Sequence, residues 1–249
     1  MKVKLFACTQ PIEGEIEGLE NIQDIIAYCA KVSNPQFQTD FSSSERLLNY
    51  LSSHAHWSPF EMASATMEVE TTRDIARQML RHRSFSFQEF SQRYKEVDAL
   101  EESFVVREAR LQHPTNRQDS INLNMDRAFD RDLDREWRRQ QEKVITTAKE
   151  AYDWAIANGI AKEQARAVLP EGNTVSRLYM QGTIRSWVHY VGLRAQEDTQ
   201  LEHRKIAQQV ALILGLEIPT VVKAAVNSAT DSDNPDSALK GWKFLAQSS

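Results

Sequence analysis

Residues 63–93 read ASATMEVETTRDIARQMLRHRSFSFQEFSQR, and the period of the pattern changes once within them. From Ala63 to Thr71, Ala65, Met67 and Val69 fall on one side and Thr66, Glu68 and Glu70 on the other, the alternation of a half-buried strand. Thr71 with Asp74 then has the spacing of a capping box. Beyond it, Ile75, Ala76, Met79 and Leu80 share one face of a helix whose other face carries Arg73, Arg77, Gln78 and Arg81. A strand that feeds directly into a helix puts sheet and helix in one packed body.

The segment Arg73 to Arg93 holds Arg73, Arg77, Arg81, Arg83 and Arg93 against only Asp74 and Glu89, inside a chain of formal net charge −5. A solvated helix face accounts for Arg73 and Arg77 as readily as a binding site does. Arg83 does not fit that reading, because a continued helix would set it in the middle of the apolar face, where an unpaired guanidinium is costly. Either the helix ends near His82 or Arg83 meets an anion. Ser84, Phe85, Ser86, Phe87, Gln88, Glu89, Phe90, Ser91 and Gln92 follow, hydroxyls and amides interleaved with rings. Hydroxyls and arginine forks suit a phosphate and rings suit a flat base, so the composition points to a nucleotide.

Outward from this segment, Lys2 to Leu5 alternate as a first strand, and Ile22, Ile25, Ile26 and Cys29 recur at helical spacing. Ser42, Ser43 and Ser44 can cap a short helix carrying Leu47, Leu48 and Leu51. Asp126 to Lys143 alternates six acids with six bases around a stripe of Phe129, Leu133 and Trp137 that continues through Val144, Ala148 and Ala155 to Gly159, one long exposed helix with a glycine stop. Val175 to Gln181 reads as a second strand leading through Gly182 into a helix with Ile184, Trp187, Val188 and Val191. Another helix is expected from Thr199 to Leu214, stopped by Gly215. From about residue 227 to 249 the tail is polar and is expected to pack loosely. With no repeat, no low-complexity linker and no regular βαβ rhythm, the expectation is a single α+β domain over 1–249, with mixed helices around a small antiparallel sheet.

The 249 residues include only eight glycines and seven prolines, which disfavours a many-stranded β fold. The glycines form neither a dinucleotide fingerprint nor a P-loop, so any phosphate must be held by side chains or helix ends. The acidic balance argues against a general nucleic-acid or anionic-membrane surface. No apolar run approaches the ~20 residues of a membrane span; Val210 to Leu214 ends at Gly215. Cys8 and Cys29 lack a C-x-x-C spacing and read as reduced cysteines of a cytoplasmic protein.

Arg81-His82-Arg83, seven residues, then Ser91-Gln92-Arg93-Tyr94 resembles the signature of the flavin-dependent thymidylate synthases. Three further blocks are similar to the same family, in the family's order: His56-Trp57-Ser58-Pro59-Phe60-Glu61, Ala165-Arg166-Ala167-Val168-Leu169-Pro170, and Arg185 through Leu193-Arg194-Ala195 to Gln200 and Glu202. The resemblance implies methylation of dUMP to dTMP, with the carbon from methylenetetrahydrofolate and the hydride from FAD reduced by NADPH. It also implies a homotetramer with sites between subunits. By motif, Gln78, Arg81, Glu89, Ser91, Arg93 and Arg166 would surround dUMP, joined by backbone groups of Phe90 and Gln92. Arg194 would be catalytic, set against the pyrimidine to stabilise negative charge as the ring is activated. FAD would be met by Ser58, Arg81, His82, Arg83, Ser84, Glu89, Thr183, Ile184, Arg185 and His189. Thr183 and His189 stand where the family often has asparagine, Asp198 and Met62 where it often has histidine. The charged helix falls in the variable region, about residues 120–158.

Other readings carry less. Ser91 has no nucleophile elbow or Ser-His-Asp order around it. Cys8 and Cys29 sit at apolar periodic positions away from any cationic segment, as buried structural thiols do. His54 and His56 lack the spacing of a metal site, and none is expected. A nucleotide- or nucleic-acid-binding module using Arg73–Arg93 without catalysis is opposed by Asp74, Glu89 and the overall acidity. A purely structural oligomer built on the long helix gives no reason for Arg83.

Overall fold

The computed structural model describes residues 1–93, 103–117, 119–231 and 237–247. Tyr94 of the signature lies outside the described residues, as do 232–236 and 248–249 of the tail. The strands are β1 (Lys2–Cys8), β2 (Ser64–Thr72), β3 (Ser86–Glu89), β4 (Arg110–Gln112), β5 (Ser120–Asn122) and β6 (Val175–Thr183). The helices are α1 (Ile22–Ala30), α2 (Ser44–Ser53), α3 (Arg73–Met79), α4 (Ala128–Ala157), α5 (Lys162–Ala165), α6 (Ile184–Arg194), α7 (Leu201–Glu217), α8 (Pro219–Thr230) and α9 (Lys243–Gln247).

Four strands form one sheet in the order β1-β2-β6-β3. Thr9, just past β1, donates its N–H to the Ser64 carbonyl at the start of β2 (2.9 Å), so that pair runs antiparallel. Phe90, just past β3, likewise donates to Arg177 near the start of β6 (2.8 Å), and Ile184, just past β6, to Ala63 ahead of β2 (2.9 Å). A two-stranded antiparallel ribbon pairs β4 with β5. In β2 the alternation holds: Ala65, Met67 and Val69 are buried between half-exposed neighbours. The cap falls one residue later than the capping box suggests. Thr71 is a buried strand residue, Thr72 occupies the N-cap of α3, and its hydroxyl donates to Asp74 Oδ1 at 2.6 Å.

Two compact units interleave along the sequence. The first comprises Met1–Lys2, Glu70–Arg81 and Gln88–Leu178; the second comprises Val3–Val69, His82–Phe87 and Tyr179–Ser249.

In the first unit, Tyr152, Ala155, Ala165 and Leu169 form an apolar cluster between α4 and α5, with Phe104 and Ile156 against it. Of the apolar stripe of α4, Ala148 and Ala155 are buried, but the N-terminal part faces out. The buried residues of the helix include Asp130, Asp134 and Gln141, whereas Phe129 is 76% exposed, Val144 52% and Trp137 46%. The polar residues face inward because the segment just before β4 supplies backbone groups to them. Asp134 accepts the Ala109 N–H at 2.7 Å, and Gln141 accepts from Arg107 N at 2.9 Å while donating to Arg107 O at 2.8 Å. Gly159, at φ +77°, ends the turn after α4 as expected.

In the second unit, α1, α2 and α8 pack together, and α6 lies against α7 and a 3-10 segment, Ser237–Trp242. Here the tail is not loose: Leu239 and Trp242 are fully buried, and Trp242 Nε1 donates to the Val188 carbonyl at 3.0 Å. Gly192 and Gly241 permit this contact; a Cβ on Gly192 would stand 2.2 Å from the Ala238 oxygen. Gly215 does not stop α7, which continues to Glu217 and yields to α8 at Ile218-Pro219. None of the described helices is long and apolar enough to cross a membrane.

Candidate active site

Helix α3 ends at Met79, and Arg81 and Arg83 emerge exposed from the turns that follow. The early stop removes Arg83 from the apolar face and sets the Arg81-His82-Arg83 segment on a bend rather than a helix. The site residues expected from sequence then fall into two groups, one in each unit.

The first unit holds Gln78, Arg81, Glu89, Phe90, Ser91, Gln92, Arg93 and Arg166. Glu89 is fixed from two sides: Ser176 Oγ donates to its Oε1 at 2.7 Å, and Arg73 Nη1 lies 3.4 Å from the same atom. Phe90 has committed its N–H to Arg177. Gln92 is buried, and Ser91 Oγ accepts the Arg93 N–H at 3.4 Å. Arg93 and Arg166 are brought to one residue that sequence reasoning missed. Glu163 pairs with Arg93 at 3.7 Å, and its carbonyl accepts from Arg166 Nε at 3.3 Å. Arg93 and Glu163 are each about half exposed, so their pair contributes little stability, and an anion with better geometry can replace the carboxylate. Arg77, on the solvent side of α3, pairs with Glu171.

The second unit holds Ser58, His82, Arg83, Ser84, Thr183, Ile184, Arg185, His189 and Arg194. Ser58, itself exposed, opens a 3-10 turn, Ser58–Met62, that buries Phe60 and ends in Glu61 and Met62. Glu61 gathers the start of α6: Thr183 Oγ1 donates to it at 2.7 Å and Arg185 Nη1 at 2.7 Å, while Thr183 Oγ1 caps α6 by accepting from Ser186 N at 3.3 Å. The Thr183 hydroxyl, and after it Arg185, hold the Glu61 carboxyl below its ordinary range against the opposing effect of burial. Ile184 is fully buried, with its N–H bonded to Ala63. His189 sets its ring edge against Trp57, 5.2 Å between centroids. Ser186 Oγ donates to the Ser84 carbonyl at 3.3 Å, tying the turn after His82 to α6.

At the other end of α6, Arg194 Nε donates to His82 Nε2 at 2.9 Å. Burial, and secondarily the Arg194 charge, push the His82 pKa down to about 4, so the imidazole is neutral near pH 7. Tyr190, 5.0 Å away by ring centroid, meets His82 edge-on, and its hydroxyl lies 3.1 Å from His203 Nε2. His203 is fully buried and pushed down to about 3, first by burial; burial also raises the Tyr190 phenol. Phe85 completes the cluster, stacked edge-to-face on Trp187 at 4.6 Å. Its ring lies over Gly182, where a Cβ would come within 2.4 Å. Sequence reasoning named His82 and Arg194 separately; nothing in a linear pattern joins residues 112 positions apart.

Cys8 and Cys29 are half-buried free thiols. Burial pushes both pKa values up, aided at Cys8 by Glu217, the reverse of what an attacking thiolate needs.

Residues 16–220 match the family described as "Thymidylate synthase complementing protein". A "Probable flavin-dependent thymidylate synthase" of Paramecium bursaria Chlorella virus 1 is 42% identical over 224 residues, covering 90% of this chain and 98% of the relative. A "Flavin-dependent thymidylate synthase" of Synechocystis sp. is 43% identical over 227 residues, covering 90% and 99%. Among solved structures, the UMP/dUMP methylase PolB of Streptomyces cacaoi, crystallised with 5-Br UMP, is similar at a TM-score of 0.73 and 27% identity, covering 90% of this chain and 92% of that one. The fold and these kinships define a nucleotide-methylating class of enzyme. Within that class, the chain belongs to the flavin-dependent thymidylate synthase family.

Proposed function

We propose that this chain converts dUMP to dTMP, taking the carbon from methylenetetrahydrofolate and the hydride from FAD that NADPH has reduced. One observation carries the reading: the arginine at the end of α6 is held by a neutral base, in a chain whose relatives at 42% and 43% identity are flavin-dependent thymidylate synthases. In this reading Arg81, Arg93 and Arg166 hold the phosphate of dUMP, with Ser91, Gln78, Glu89 and backbone groups of Phe90 and Gln92 around the nucleotide. Arg194 faces the pyrimidine, where a fixed cation stabilises charge that develops on the ring during activation.

The donor set fits FAD. Arg83, Ser84 and Ser58 stand exposed, and Arg185 is half exposed at the start of α6, a combination suited to a diphosphate without a glycine loop. Arg81, His82, Glu89, Thr183, Ile184 and His189 complete the proposed set. Bound there, FAD supplies the hydride; the protein's part is to orient the pyrimidine, exclude water and place Arg194.

The oligomer in this reading is a homotetramer with shared sites, and the whole chain, 1–249, works as one catalytic domain in the cytoplasm. The apolar residues of α4 support the oligomer: Phe129, Trp137, Val144 and Trp154 all face out of the subunit and need a cover. Light scattering of the FAD-bound protein should give about four times the 28.6 kDa subunit. The activity is tested by incubating the purified protein with dUMP, methylenetetrahydrofolate and NADPH, and by its visible spectrum. Stoichiometric flavin bands and dTMP formation are expected; a colourless protein that does not bind added FAD and makes no dTMP would refute the reading.

A further inference from the structure

We propose that His82 is a positioning residue for Arg194: its Nε2 accepts the Arg194 Nε–H and fixes the plane of the guanidinium while leaving that group's positive charge undiminished. This deepens the reading in which Arg194 faces the pyrimidine, and rests on it. Three observations lead here. The bond is 2.9 Å with Arg194 as the donor, which requires a lone pair on Nε2 and therefore the proton on Nδ1. The imidazole is walled by rings that meet it near-perpendicularly: Tyr190 at 77°, Phe85 at 86° and His203 at 90°. Tyr190 is in turn anchored through its hydroxyl to His203, so the wall cannot rotate freely.

The choice of partner matters chemically. Arg77 and Arg185 are each answered by a carboxylate, Glu171 and Glu61, which cancels most of their field at a distance. A neutral imidazole orients without cancelling. With Nε engaged, the two Nη groups keep four N–H donors in a plane set by the protein, preorganised for an acceptor edge such as that of a uracil. Among the described residues, the titratable and charged groups that meet the His82 ring are Arg194, His203 and Tyr190. Protonating His82 would place a cation against the guanidinium and remove its acceptor, so the arrangement is lost only as pH falls toward about 4.

The test uses the full-length protein. Nitrogen-15 NMR of histidine-labelled wild type, with His82 assigned by its disappearance in His82→Gln, should show a neutral ring protonated at Nδ1 from about pH 8 down to about pH 5. His82→Leu, which removes the acceptor, should lower the single-turnover rate of the FAD-saturated protein at saturating dUMP by about 10- to 100-fold, with the half-saturating dUMP concentration little changed. His82→Gln, whose Oε1 can take the place of Nε2, should recover most of that rate. His82→Glu should not, because it returns an acceptor but neutralises the cation. A ring protonated at Nε2 or titrating near 6.5, or a His82→Leu protein whose only defect is weaker FAD binding, would overturn the proposal. If the wild type forms no dTMP at all, the enzymatic reading fails while the NMR result still decides the tautomer and the bond.

Discussion

The two units hold their parts in opposite ways. In the first, α4 is tied to the segment before β4 by Asp134 and Gln141 bonding to backbone groups, and arginine after arginine is answered by a carboxylate: Arg73 by Glu89, Arg77 by Glu171, Arg107 by Asp74, Arg177 by Glu70. In the second, α6 carries two fully buried rings of its own, Trp187 and Tyr190, and Trp242 bonds to it from the tail; of its two arginines, Arg185 is answered by Glu61 but Arg194 by an imidazole. At Arg194, where packing supplies the stability, the cation does not need a counter-charge to stay in place, and its field remains available to a substrate. Where the contacts are polar, charges are consumed in holding the structure. A cation whose field stays open, such as Arg194, thus belongs with the apolar packing of the second unit, and exchangeable cations, such as Arg93, with the exposed ion pairs of the first.

The largest effect should come from breaking the ring-based grip. Trp242→Ala removes a fully buried indole and its bond to Val188, and should cost about 3–5 kcal/mol in urea unfolding; a loss below about 1 kcal/mol would restore the loose tail. Next, Arg194→Ala should slow the single-turnover oxidation of reduced flavin about 100-fold at saturating dUMP, roughly 3 kcal/mol in the transition state. Arg166→Ala should mainly raise the dUMP concentration required, because phosphate keeps its charge throughout the reaction. Equal effects on rate from both arginines would erase the contrast between the units.

On the polar side, Gln141→Ala strands the N–H and carbonyl of Arg107 and should cost about 1–3 kcal/mol, measured in the same urea titration. A gentler probe is pH. His82 and His203, at about 4 and about 3 in the folded chain, lie below the ordinary histidine value, so the unfolded chain takes up protons that the folded one refuses. Their contribution is complete above about pH 6.5 and is lost as pH falls toward 4. The urea midpoint should therefore decline between about pH 6.5 and 5, and less steeply in His203→Gln; a flat profile would show that neither ring is held neutral. The smallest effect is expected from Cys8→Ala and Cys29→Ala, which should form dTMP within about twofold of the wild type, since a thiol raised by burial is no nucleophile.

The strand-to-helix reading of residues 63–80 is seen in β2 and α3 because alternation and helical period are local signals that the packed structure preserves. The stripe of α4 packs inward only at its C-terminal end, at Ala148 and Ala155, because further up the helix Asp134 and Gln141 are buried by backbone partners that no periodicity reveals. Leu239 and Trp242 were hidden for a related reason: two anchors in a polar tail make no pattern. Gly215 reads as a stop in the sequence, yet a glycine costs a helix only ~1 kcal/mol, less than the packing of α7 can offset. Of the candidate site, the arginines and Ser91 were legible as motif residues. Glu163, Ser176 and the Arg194–His82 bond were not, because each depends on contacts across the fold.

Gly182 carries a genetic consequence. Any other residue brings a Cβ to within 2.4 Å of the Phe85 ring, which lies one residue after the Arg81-His82-Arg83-Ser84 turn and against Trp187. Every amino-acid change a single nucleotide can make in a glycine codon introduces that carbon, so this codon has synonymous neighbours and damaging ones, with nothing conservative between. A strand position remote in sequence from the signature should thus tolerate drift as poorly as the signature itself, and a saturation library at residue 182 should return glycine alone among fully active clones.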